Sequence, residues 1–234
     1  MTVNDKTLDN VYIIDNLGKK RRIKSVYIGV NGKAKKIADT ISNLYKCSGT
    51  LTPLSQARSS LAATSIGDYA LFGGGYDSSS SSVVDAYDTS LVRTTPTPLS
   101  RARISLSSTS IGNYALFGGG ESNYPFVYSD VVDAYDTSLV KTTPTPLSVG
   151  RRPLAATSIG DYALFGGGNG GSFYAAIDAY DTSLVRTNPT SLLVGRDSLA
   201  ATSIGNYALF GGGRPSASSY SSVVEAYSVK NILT

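Results

Sequence analysis

Two sets of ionisable residues recur along this chain and are the first candidates for chemistry. Arg58, Arg103, Arg151 and Arg196 each close a turn-like segment, from "TPLSQAR" to "TSLLVGR". Asp85, Asp133, Asp178 and Glu225 stand just before a repeated tyrosine (Tyr87, Tyr135, Tyr180, Tyr227), and Asp88, Asp136 and Asp181 follow it. Paired carboxylates could carry general acid–base catalysis, and converging guanidiniums could bind an anion. A catalytic pair is needed once, however, and these residues stand in every repeat. Turn capping and cross-strand hydrogen bonds account for the carboxylates. Hydrogen bonding from one repeat to the next accounts for the arginines, with a shared anion-binding ring as the alternative.

What is missing narrows the chemistry further. The chain has no histidine, the usual base near neutral pH and the commonest metal ligand. Ser–His and Cys–His nucleophile pairs are therefore excluded within it. Its single cysteine, Cys47, cannot form an intrachain disulfide or a multi-cysteine metal site; it reads as a small, partly buried side chain. No unrepeated carboxylate pair and no metal constellation stands out. The sequence thus points to no catalytic residue, no metal and no cofactor.

The elements that would position these residues follow a regular ruler. "GDYALFGGG" at Gly67–Gly75 returns at Gly112–Gly120, Gly160–Gly168 and Gly205–Gly213, with Asn for Asp in two copies. The triple glycines begin at Gly73, Gly118, Gly166 and Gly211, in steps of 45, 48 and 45. From each repeated tyrosine to the next triple glycine the spacing is always 31. All length variation sits in the inserts Tyr76–Ser82, Glu121–Asp130, Asn169–Ala175 and Arg214–Ser222, of 7, 10, 7 and 9 residues. Within a repeat, Ser60–Ile66, Tyr69–Phe72, Val83–Asp88 and Leu91–Thr95 read as strands. Gly67-Asp68 is a hairpin turn between the first two. Tyr69–Phe72 is apolar enough to be buried on both faces, and the "PTPLS" segment ends each set because proline cannot join a ladder. The glycines allow close backbone approach and unusual φ/ψ where a strand leaves the crowded interior. A phosphate-cradling role is a poor match: no helix follows, no "GK[ST]" closes the motif, and it occurs four times.

Four antiparallel strands per repeat of about 45 residues suggest a β-propeller with one blade per repeat. The frame resembles the kelch repeat: an apolar run and glycine pair (Tyr69–Phe72 with Gly73-Gly74 and equivalents), then the tyrosine at Tyr87, Tyr135, Tyr180 or Tyr227. The kelch tryptophan about seven positions on is replaced by Thr94, Thr142, Thr187 and Thr234. The resemblance covers residues 51–234 and implies fold, not activity. The expected fold class is all-β: a kelch-like propeller of about four blades after a small N-terminal β-hairpin module. The repeats run over about 51–99, 100–146, 147–194 and 195–234. Closure could be by four blades, by a fifth from residues 1–50, or by two chains sharing a larger ring.

Charge separates the N-terminal piece from the rest. Residues 1–46 carry a net +6 and residues 47–234 a net −2, giving the overall +4. "KSVYIGVNGKAKKI" (Lys24–Ile37) is a hairpin signal around Asn31-Gly32, and "VYIID" with "GKKRRI" suggests another strand pair. Lys19, Lys20, Arg21, Arg22, Lys33, Lys35 and Lys36 form its basic set. A solvated face, a docking surface for an acidic protein partner, and nucleic-acid binding all remain open. The last is weakest because only Tyr12 and Tyr27 interleave the charges. No secretory signal and no apolar run near 20 residues is seen, so the chain reads as made in a host cytoplasm without an export signal. This hairpin ahead of "NYALFGGG…VVDAYDTSL" repeats resembles proteins encoded in phage and prophage tail regions of Gram-positive bacteria. The resemblance implies a virion component, anchored by residues 1–46 and presenting the propeller of residues 47–234 outward.

The inserts, "YDSSSSS", "ESNYPFVYSD", "NGGSFYA" and "RPSASSYSS", are rich in Tyr, Ser, Gly and Asn, a composition suited to recognition surfaces. All four should share one face with the "TPLS" turns. Tolerant surface loops are the plain alternative, but exposed aromatics favour a binding face. Its candidate residues are Tyr76, Asp77, Glu121, Tyr124, Phe126, Tyr128, Phe173, Tyr174, Arg214 and Tyr220. Host cell-wall glycan or protein is the expected target there, and other virion proteins are expected at the N-terminal module, with the chain a homo-oligomer in the assembly. The expected function is that of a non-enzymatic virion structural protein, a tail or surface appendage used for attachment. A cytoplasmic kelch adaptor and a sugar-active propeller enzyme are the rival classes.

Overall fold

The computed structural model of the chain describes residues 12–14, 20–22, 26–30 and 33–38 as backbone, and residues 51–123 and 125–229 with their side chains. Two compact units result, Met1–Thr50 and Leu51–Thr234. Every regular element among the described residues is a strand, and among them no helix is long and apolar enough to cross a membrane.

In the first unit, Val26–Val30 pairs antiparallel with Lys33–Ala38. Val30 faces Lys33, so two residues connect them, as the Asn31-Gly32 signal requires. Tyr12–Ile14 pairs with Lys20–Arg22 as a second ribbon. Lys20, Arg21, Arg22, Lys33, Lys35 and Lys36 therefore lie on strands, and Lys19 falls outside the described residues.

The second unit is four consecutive antiparallel sheets, one per repeat. In the first, Ala62–Ile66, Tyr69–Gly73, Val84–Tyr87 and Arg93–Thr94 lie side by side in chain order. The second and third repeats give the same meander, ending in Lys141–Thr142 and Arg186–Thr187. The fourth sheet has three strands among the described residues, Ala200–Ile204, Tyr207–Gly211 and Val224–Ser228. The second strand runs one residue further than the sequence suggests, and the other three are shorter, most of all the outermost, which holds only the two residues that pair with its neighbour. The "DTSL" segment before that strand turns instead of extending. Asp88 Oδ1 accepts from the Ser90 and Val92 amides, and Leu91 takes a φ of 63°. Asp136 and Asp181 do the same in their repeats.

Alternation along the strands creates two apolar faces per sheet, and three clusters fill the spaces between consecutive sheets. Ala62, Ile66, Leu71 and Val84 of the first repeat pack with Leu106, Ala115 and Phe117 of the second and with Leu99 of the turn that joins the two. The second-to-third and third-to-fourth clusters reuse the same positions. Each large side chain buried there contributes about 1.5–3 kcal/mol. The first glycine of the first three triplets makes room for this packing: a Cβ on Gly118 would lie 2.8 Å from the Phe165 ring, and one on Gly73 2.8 Å from Phe117. The other two glycines adopt left-handed φ, 70° and 97° at Gly119 and Gly120. Burial of the Tyr-Ala-Leu-Phe strand on both faces holds for the middle repeats but not for the first, where Ala70 is exposed and Phe72 only half-buried.

Candidate functional site

The repeated arginines do not link repeats through their side chains, as expected from sequence; they brace their own repeat. Arg103 Nη2 lies 2.6 Å from Asp133 Oδ2 with both side chains fully buried. Its equivalents pair at 2.9 Å (Arg58–Asp85), 2.8 Å (Arg151–Asp178) and 2.7 Å (Arg196–Glu225). Each arginine also donates to the carbonyl of its repeat's phenylalanine, Phe72, Phe117, Phe165 or Phe210. The guanidinium thus ties the "TPLS" turn to the second and third strands. Burial pulls the Arg103 pKa down to about 10, with Asp133 opposing the shift. The link between repeats is made by backbone: Gly75, Gly120 and Gly168 donate to the carbonyls of Arg103, Arg151 and Arg196 of the following repeat.

This brace fixes the position immediately after each arginine. Ser59, Ile104, Arg152 and Asp197 form two-way backbone bridges with the first insert residues Tyr76, Glu121, Asn169 and Arg214. Neither position repeats its residue type. They are the variable sites that the invariant frame presents side by side.

The inserts are ordered, not open loops. Tyr76–Asp77 pairs with Ser79–Ser80, and Glu121–Asn123 with Phe126–Tyr128. The Asn123 amide donates to Ser80 Oγ, so the first two inserts lie against each other. Phe126 and Tyr128 stack edge to face at 4.9 Å between centroids.

Between the second, third and fourth inserts the surface dips into a cleft of about 230 Å³, lined by Tyr128, Arg152, Asn169, Phe173, Asp197, Arg214 and Ala217. Arg214 grips Asp197 with both fork nitrogens, Nε to Oδ1 at 2.9 Å and Nη2 to Oδ2 at 3.0 Å. That hydrogen bonding raises the Arg214 pKa. Arg152 Nε approaches Glu121 Oε2 at 2.7 Å, across the second and third repeats. That oxygen makes no hydrogen bond of acceptable geometry, so the pairing is one of charge. Both carboxylates are buried, while the arginine side chains remain 38% and 43% exposed. The cleft offers two aromatic rings, an amide and two half-free guanidiniums. It can stack against a ring and donate planar hydrogen bonds.

Of the residues singled out by sequence, Tyr128, Phe173 and Arg214 meet in this cleft. Tyr220 stands beside it, 86% exposed, over a shallower depression with Ser198, Gly213, Arg214 and Ser221. Tyr76, Asp77 and Phe126 are exposed on the first two inserts, and Tyr174 is half-buried. Tyr124 lies outside the described residues. Glu121 needs correction: an insert residue expected on the open face is only 5% exposed, held under the Arg152 side chain. Arg152, Asn169 and Asp197 were missed. Their signal is variability at a fixed offset, since each stands where its neighbours repeat and it does not. No known protein family matches the chain, and no curated protein resembles it closely enough to count as a relative.

Proposed function

We propose that this chain is a non-catalytic recognition protein: a kelch-like propeller-type array whose insert face holds its ligand. The cleft of Tyr128, Phe173, Arg152, Asn169 and Arg214 carries this reading, because it joins the variable residues of three repeats on one braced frame. An aromatic pair with planar donors suits a sugar ring, which has an apolar C–H face and a rim of hydroxyls. Both carboxylates at the cleft are committed to guanidiniums, which favours a binding role over proton transfer. Host cell-wall glycan is the target that fits this chemistry.

The similarity of the N-terminal hairpin and repeats to phage and prophage tail-region proteins of Gram-positive bacteria supports placing the chain on a virion. There it serves as a tail or surface appendage, with the basic strands Lys20–Arg22 and Lys33–Ala38 as the docking piece. The test is mass spectrometry of purified particles after prophage induction in the source strain. The chain at structural stoichiometry is the expected result; its presence in cytosol and absence from particles would overturn the virion assignment.

A further inference from the structure

The three interfaces between repeats are copies of one another, and the structure leaves one half of that interface open at each end. On the fourth repeat the face that should be covered is bare among the described residues. Ile204 is 68% exposed where Ile66, Ile111 and Ile159 are buried, and Val224 is 62% exposed where Val84, Val132 and Ile177 are buried. Tyr207 is exposed beside them. Gly73, Gly118 and Gly166 lie under the phenylalanine of the following repeat, but a Cβ on Gly211 would meet only Val224 of its own sheet.

On the first repeat the opposite face is bare. Ala70 is exposed where Ala115, Ala163 and Ala208 are fully buried, and Phe72 is half-buried where Phe117, Phe165 and Phe210 are fully buried. Leu61 and Leu54 are likewise only half-buried where their equivalents one repeat on, Leu106 and Leu99, lie in the core.

The backbone polar groups match in the same sense. The closed interfaces share three backbone bonds: a glycine amide to the next arginine's carbonyl, that arginine's amide to a late insert carbonyl, and a leucine amide to the residue after it. Between the first two repeats these are Gly75 to Arg103, Arg103 to Ser81, and Leu99 to Ser82. At the open ends, the fourth repeat offers the Gly213 amide and the Ser221 and Ser222 carbonyls. The first offers the Arg58 carbonyl and the Arg58 and Leu54 amides. None of these six groups is bonded among the described residues. Donors and acceptors are complementary in number and order.

We infer that the uncovered face of the fourth repeat is the docking site for the first repeat of a second copy of this chain, joined head to tail. Phe72 of the incoming copy takes the place over Gly211 that Phe210 takes over Gly166. A chain that folded its own first repeat onto its fourth would bury both faces, and here both stand open. Such a heterologous contact builds either a closed ring of copies or an open chain of them.

The test is light-scattering mass of the full chain at micromolar concentration, with variants at exposed positions that leave each repeat's own packing intact. The parent should run at a multiple of the chain mass, and Ile204→Lys/Val224→Lys and Ala70→Lys should each fall to monomer, roughly a twofold drop or more. Mixed in equal amounts, the two variants should recover a one-to-one pair, because each retains the face the other lacks. Val140→Lys, at a site exposed in the first three repeats (Val92, Val140 and Val185 at 56–57%), should leave the mass unchanged, and circular dichroism should match the parent in all cases. A monomeric parent, or variants that fail to complement while the parent associates, would overturn the inference.

Discussion

Arg103 and Asp133 form a fully buried ion pair that closes the second repeat, their nitrogen and oxygen 2.6 Å apart, and each of the other repeats carries an equivalent pair, with Glu225 as the acid in the fourth. Removing one partner strands the other charge without solvent. Asp133→Ala is expected to cost about 3–5 kcal/mol, the range for breaking a buried pair. Denaturant unfolding measures it. The exposed Asp77→Ala serves as reference and should stay within about 0.5 kcal/mol of the parent.

The inter-repeat packing makes a second prediction. Gly118→Ala drives a methyl to within 2.8 Å of the Phe165 ring, and should cost about 1–3 kcal/mol by overpacking. The cost should shrink in a Phe165→Leu background, because the two positions share one contact. A double-mutant cycle in urea gives the coupling directly, and equal costs in both backgrounds would contradict the contact.

Alkaline stability follows from the repeated tyrosines. Burial, and next the neighbouring carboxylate, raise the pKa of Tyr135, Tyr180 and Tyr227 above the ordinary tyrosine value, the last to about 12. Tyr135 and Tyr180 also donate to the Thr97 and Thr145 carbonyls, each at 2.7 Å. A folded pKa above the unfolded one gives stability that is complete below about pH 10 and is lost as pH rises through the folded value. Thermal melts should therefore drop steadily above about pH 10. Tyr180→Phe should be less stable at neutral pH, by about 1 kcal/mol for the lost hydrogen bond, and show a shallower alkaline decline.

The frame of this protein was legible from its sequence, for physical reasons that can be named. Gly67-Asp68 and its equivalents announce two-residue turns, and Ile66 does face Tyr69 across one. Asp88, Asp136 and Asp181 announce side-chain-capped turns, and all three cap one. The Arg–acid pairing was present in the spacing but went unread. The separations of 27, 30, 27 and 29 residues exceed the insert lengths of 7, 10, 7 and 9 by a constant 20, so the partners are fixed to one frame whatever the insert does. The cleft was less legible. Arg152 meets Glu121 of the preceding repeat, and Asp197 meets Arg214 across an entire hairpin. The first contact depends on how sheets stack, which local pattern does not encode; the second continues the register of the fourth repeat's own hairpin, beyond the strands that the pattern marks. The burial of Glu121 escaped for the same reason as the first contact.

Within the cleft, Arg214→Ala removes the guanidinium that grips Asp197, while Arg214→Lys keeps the charge but not the fork. Arg214→Lys should melt close to the parent, whereas Arg214→Ala leaves the buried Asp197 carboxylate without its partner and should lower the melt; both should weaken ligand capture. The lysine variant should recover little, because a point charge does not reproduce planar donation. Recovery to parental affinity would show that charge alone is recognised.

The central claim, that the insert face is a recognition surface, is tested most directly by binding of the purified full chain to isolated host cell walls. Parent and a Tyr128→Ser/Phe173→Ser variant should be compared at matched concentration. The account predicts saturable binding by the parent and a loss of roughly tenfold or more in the variant, about 1.4 kcal/mol, with the fold unchanged by circular dichroism. Equal binding by the two proteins, or none by the parent, would contradict it.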